Sequence, residues 1–153
     1  MWADEDGTAA FARWLSQQTA VLDAVLALRG DLGAGKTTLV RHLLRALGIA
    51  GRIKSPTYAV VEPYCIEGRP DQPAHPAYHF DFYRFSDPRE WEDAGFRDLF
   101  AGPGLKLCEW PDHAAGLMPV ADLDITLSVQ NDDHRLVQLQ AHTPVGVRLL
   151  PPA

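Results

Sequence analysis

The segment Gly30-Asp31-Leu32-Gly33-Ala34-Gly35-Lys36-Thr37 constrains this chain more than any other. It fits the pattern G-x-x-x-x-G-K-[ST] without a mismatch. Such a loop works when a strand delivers the chain to it and a helix carries the chain away. Both are legible. Residues 24–28 are apolar without alternation, as in a strand buried on both faces. Residues 36–47 have helical spacing, and Gly48 stands where a helix-ending glycine belongs. The glycines let the loop wrap closely, so that backbone N–H groups point inward at an anion. The start of the following helix adds partial positive charge. The pattern predicts a nucleoside triphosphate held with magnesium. Lys36 would reach the β- and γ-phosphates, and the Thr37 hydroxyl would ligate the metal.

The rest of the chain reads as strands separated by helices. Residues 8–18 form a helical pattern with Phe11, Trp14 and Leu15 on one side and Thr8 as its cap. Residues 58–65 read as a strand, where Pro63 argues for an edge or a strand end. Residues 67–76 read as an exposed loop, and residues 78–84 as an alternating strand. Asp87-Pro88 opens a helix that should end near Gly95. Residues 105–109 read as a strand, although Lys106 interrupts its apolar run. Residues 123–129 and 136–140 pair as a hairpin around 131–134. The tail from Pro144 carries no clear pattern. Together these predict one α/β domain over residues 1–153. It should be a three-layer fold of the P-loop NTPase kind, with a mixed, mostly parallel sheet flanked by helices and a C-terminal antiparallel hairpin.

Charge narrows the function. Asp and Glu number 20 against 14 Lys and Arg, a formal net charge of −6. Phosphate backbones repel such a chain, so tight autonomous binding to DNA or RNA is not expected. A role in nucleic-acid chemistry would need a partner to bring the positive surface. The two cysteines, Cys65 and Cys108, lack the spacing of a disulfide framework or a zinc cage. No apolar run reaches the roughly 18 residues of a membrane helix. The acidic start has no signal-peptide pattern, so a cytoplasmic location is expected.

A phosphate loop needs a carboxylate to hold magnesium from the opposite side. Glu109 ends a strand, and strand C-terminal ends face the site in such sheets. It is the candidate, with a solvated strand-end acid as the alternative. Asp81 shares one strand face with His79. It could orient the attacking water or a magnesium-bound water, or serve only as a structural acceptor. A metal set of His75, His79 and Asp81 matches no standard zinc spacing. Thr57 could sense the γ-phosphate or simply make a turn. Arg84 and Arg135 could contact phosphate or base, or lie on the surface. Trp110 could flank the nucleotide or fill the core. No Asn-Lys-x-Asp guanine-reading motif is present, which favours ATP.

These residues, taken in order, resemble the bacterial TsaE family. The resemblance rests on Gly30 through Thr38, then Lys54-Ser55-Pro56-Thr57-Tyr58, then Glu62-Pro63-Tyr64. It continues through His79-Phe80-Asp81-Phe82-Tyr83-Arg84, Asp87-Pro88 and Glu109-Trp110-Pro111, and covers about residues 4–141. It implies a small ATPase needed for threonylcarbamoyladenosine at position 37 of certain tRNAs. The family works with the TsaB–TsaD pair, in which TsaD carries the transferase chemistry, and its ATP cycle is thought to reset that complex. By resemblance, Leu32, Gly33, Ala34, Gly35, Lys36 and Thr37 bind the phosphates of ATP or ADP. Thr37 and Glu109 hold Mg2+. Asp81 belongs to the hydrolytic or switch apparatus, with Lys36 and Glu109 as the other catalytic residues. Glu5 and Arg135 match nucleotide-contacting positions. An acidic subunit that docks on protein partners need not hold tRNA itself.

Two other readings fit the same residues. A small-molecule kinase would act on a free acceptor, but such enzymes usually carry an arginine-bearing lid, and no Arg-rich segment is visible. A non-catalytic nucleotide-bound scaffold would keep its function without the carboxylates.

Overall fold

A computed structural model describes residues 5–53, 56, 60–68, 73–85, 87–130 and 134–152. A six-stranded sheet in the order β2-β3-β4-β1-β5-β6 organises them. Its strands are β1 (Val25–Arg29), β2 (Val61–Ile66), β3 (His75–Asp81), β4 (Leu105–Glu109), β5 (Leu123–Val129) and β6 (Arg135–Ala141). The four central strands run parallel, through the pairings of β3 with β4, β4 with β1 and β1 with β5. Each edge strand is antiparallel, β2 on β3 and β6 on β5. The expected mixed sheet with a late antiparallel hairpin is therefore present, and a second antiparallel pair closes the other edge. Pro63 lies in edge strand β2, where a missing N–H costs least.

The helices are α1 (Glu5–Ser16), α2 (Lys36–Ala46), α3 (Pro88–Asp93), α4 (Phe96–Ala101) and α5 (Pro144–Arg148). Strand alternation separates two cores, giving three layers. Leu26 and Leu28 of β1, Leu105 and Leu107 of β4, and Leu123, Ile125 and Leu127 of β5 pack with Leu15 of α1 and Leu39, Leu43 and Leu44 of α2. The opposite face carries an aromatic cluster in which Phe80, Phe82, Phe85, Trp91, Phe96 and Phe100 surround Ala27 and Cys108.

Several boundaries differ from the expectation, each for a physical reason. Thr8 lies within α1 and is buried rather than capping the helix. The acidic start suits the helix dipole and carries the helix upstream of Thr8. Strand β3 begins at His75 and stops at Asp81. There the Asp81 carboxylate accepts the Tyr83 N–H at 3.0 Å, a turn that ends the strand before Arg84. Gly48 terminates α2 as expected, and the Ile49 N–H reaches back to Leu44 O at 3.1 Å. The Asp87 side chain caps α3 by accepting the Arg89 N–H at 2.9 Å. The expected strand start at 58–59 and hairpin turn at 131–133 lie outside the described residues, as does Thr57.

Buried Lys106 resolves the interruption in β4. Its Nζ donates to Gly102 O at 2.5 Å, and burial holds its pKa below the usual lysine value. No helix among the described residues is long and apolar enough to cross a membrane.

Candidate functional site

Four parallel strands end at the same edge of the sheet, and the loop after β1 curls over that edge. Gly30 starts the curl with φ +140°, and a Cβ there would stand 2.4 Å from Leu127 O of β5. Glycine is required by both angle and space. Gly35, at φ 106°, turns the chain into α2 without any side-chain cap. The first-turn amides of α2 have no acceptor further up the helix, so they are open to an anion. The loop, α2 and the ends of β3 and β4 enclose an open pocket of about 270 Å³, lined by Leu32, Gly33, Gly35, Lys36, Thr37 and Asp81 among others.

Lys36 is buried, and its Nζ donates to Gly30 O at 2.5 Å. The Trp110 ring lies over that nitrogen, 3.5 Å from it to the ring centroid. Desolvation lowers the Lys36 pKa from its ordinary value, opposed by the charges of Glu109, Asp81 and Asp31. Trp110 adopts φ 55°, the positive-φ exception among the described non-glycine residues. Such backbone strain persists where surroundings over-determine it. Here Tyr83 and His113 pack on the ring at centroid distances of 5.0 and 5.6 Å.

The two predicted carboxylates meet across the sheet, since Asp81 is the register partner of Glu109. Alternation puts both on the α2 face. Thr37 Oγ1 stands 3.1 Å from each carboxylate oxygen of Glu109. His79 Nε2 lies 2.6 Å from Glu109 Oε2, with both residues buried. Its Nδ1 is a buried side-chain atom with no hydrogen-bond partner among the described residues. Hydroxyl and carboxylate oxygens together make the donor set that a hard divalent cation takes.

Arg135 also arrives at the loop, its Nε donating to Ala34 O at 3.0 Å. Arg84 is exposed and does not line the pocket. Glu5 opens α1, and its side chain lies outside the described residues. His75 sits 3.6 Å from Asp23, and no three His, Cys, Asp or Glu side chains among the described residues could share a metal ion. The contact between His79 and Glu109 was not read from the sequence. Its signal was there: two same-face residues on one strand beside an acid ending another.

Asp81 has a pKa above the ordinary carboxylate value. Burial is the largest cause and nearby Glu109 adds to it, against the Tyr83 N–H, His79 and Lys36. The folded chain therefore holds this proton more tightly than the unfolded chain does. The side chain's contribution to stability is greatest below the ordinary carboxylate range and is lost as pH rises through the folded value. Asp81→Asn keeps an acceptor for the Tyr83 N–H and removes the charge. In metal-free and nucleotide-free buffer it should melt slightly above the parent at neutral pH, with the gain disappearing in acid. A difference constant across pH would assign the effect to packing.

A family model described as threonylcarbamoyl adenosine biosynthesis protein TsaE matches residues 2–137. The chain belongs to the TsaE family. Among TsaE relatives named tRNA threonylcarbamoyladenosine biosynthesis proteins, one from Haemophilus influenzae is 43% identical over 123 residues, covering 80% of this chain and 73% of its own. Another from Bacillus subtilis is 37% identical over 117 residues, covering 76% and 69%. A crystal structure of YdiB from Bacillus subtilis superposes with a TM-score of 0.73 at 31% identity, covering 95% of this TsaE chain and 86% of that one. The family's role is in tRNA threonylcarbamoyladenosine biosynthesis.

Proposed function

We propose that this TsaE protein binds ATP with magnesium in the pocket at the sheet edge and hydrolyses it to cycle a TsaB–TsaD transferase complex. The observation that carries the reading is the convergence of Lys36, Thr37, Asp81 and Glu109 around one open pocket of about 270 Å³. Four side chains from α2, β3 and β4 meet there, beside the first turn of α2.

The chemistry follows from those positions. Amides between Leu32 and Thr37 would donate to phosphate oxygens on the loop. Lys36 is held beside the pocket by Gly30 O and can exchange that carbonyl for a β- or γ-phosphate oxygen. Thr37 and Glu109 would hold magnesium, which supplies charge neutralisation across the phosphate oxygens. Asp81 lines the same pocket, and its raised pKa suits a group that takes a proton from an attacking water. The water oxygen would bond to the γ-phosphorus as the β–γ bridging oxygen leaves, giving ADP and phosphate. Arg135 steadies the loop through Ala34, and Glu5 remains a candidate nucleotide contact.

Phosphate release is the test, measured for the chain alone and with the TsaB–TsaD pair, with magnesium and with EDTA. Turnover should be slow alone, rise with the pair and stop when magnesium is removed. Transfer of labelled γ-phosphate to a metabolite, without the pair, would replace this reading with a kinase. Nucleotide binding with no turnover in the assembled complex would replace it with a scaffold.

A further inference from the structure

We propose that His79 positions Glu109, donating its Nε2 hydrogen to Oε2 and holding the carboxylate turned toward Thr37; this rests on the magnesium reading above. The need for a second donor is geometric. Thr37 Oγ1 lies 3.1 Å from both Glu109 oxygens, so its single hydrogen does not select between them. His79 breaks the tie, because its Nε2 approaches Oε2 at 2.6 Å, its one hydrogen-bond contact among the described residues. The register explains the reach. His79 stands opposite Leu107 and Asp81 opposite Glu109, so the imidazole crosses diagonally to a same-face neighbour two residues along β4.

The ring's other nitrogen fixes the hydrogen's place. Nδ1 is buried with no partner among the described residues. A hydrogen there would be a buried donor left unmet, and the Nε2 lone pair would face carboxylate lone pairs. One hydrogen on Nε2 avoids both costs. A donor fixed behind a ligand carboxylate locks its rotamer and prepares the site before a cation arrives. His79 itself touches neither phosphate nor metal on this account.

The test uses the full chain and the fluorescent nucleotide mant-ADP, titrated with magnesium. His79→Leu should weaken the apparent magnesium affinity by about 10–100-fold, the usual effect of removing such a supporting group. Binding of mant-ADP without magnesium should be unchanged. His79→Gln places an amide N–H near the Nε2 position and should restore most of the loss. Equal weakening with and without magnesium would mark a structural core histidine and overturn the proposal. Parent-like magnesium affinity in His79→Leu would overturn it while leaving the nucleotide–magnesium reading intact. No magnesium dependence in the parent would remove both. If His79→Leu does not fold, long-range 1H–15N spectra of the unmodified chain decide: hydrogen on Nε2 supports the proposal, and hydrogen on Nδ1 overturns it.

Discussion

Lys36→Ala should lower ATP turnover in the assembled complex by about 10²–10³-fold, the range seen when one preorganised charge on a reacting group is removed. The cause is local. Lys36 is the buried cation at the loop, already desolvated and held by Gly30 O and the Trp110 face. An ammonium in that setting acts on developing phosphate charge through a lower dielectric than one in water. Alanine would also remove the ammonium that exchanges Gly30 O for a phosphate oxygen, so nucleotide affinity should fall as well. Multiple-turnover phosphate release and threonylcarbamoyl transfer should be measured on the same preparation, with circular dichroism confirming the fold. Wild-type multiple-turnover transfer by Lys36→Ala would falsify the ATPase reading.

The largest stability effect is expected on the other face of the sheet. Phe80 is fully buried, with ring centroids of Phe100, Phe96 and Phe82 at 4.7, 5.4 and 5.6 Å. Phe80→Ala removes the transfer energy of a whole ring and leaves a cavity that rigid aromatic neighbours cannot fill. A loss of about 3–5 kcal/mol is expected. Against the usual total of roughly 5–15 kcal/mol, that leaves a chain with little or no margin. Urea denaturation should show a lower midpoint at unchanged slope. Phe80→Leu should recover much of the loss, because it keeps most of the apolar volume.

Legibility in the sequence followed the range of the interactions. Residues 24–48 were read nearly to the residue, since a strand, a glycine loop and a capped helix are specified by neighbours in the chain. Asp87 and Pro88 announced α3 for the same reason. Asp81 and Glu109 were each legible as a candidate acid, Glu109 because strand C-terminal ends face the site in such sheets. Their register, and the reach of His79 to Oε2, needed β3 and β4 to be adjacent, and no local pattern encodes that. Helix α4 has only six residues and depends on Phe96 and Phe100 entering the aromatic cluster. Helix α5 was hidden in an uninformative tail, although Thr143 accepts the Gly146 N–H at 3.1 Å as a cap. Pro76 looked like loop because Gly68, Pro70 and Pro73 precede it; β3 tolerates it because it comes before the first β4 partner, Ala77.

The alternation that sends Phe80 one way and His79 and Asp81 the other has a consequence for insertions and deletions. Remove one residue upstream within β3 and the pleat reverses for everything that follows. A phenylalanine would then face the pocket beside Lys36, and an ionisable side chain would enter the aromatic layer beside Trp91. Remove two residues and each side chain keeps its face, losing only its height against β4. Length changes in this strand should therefore sort by parity. Odd ones should abolish folding and chemistry together, and even ones should leave a folded chain whose carboxylates stand one pleat repeat out of step.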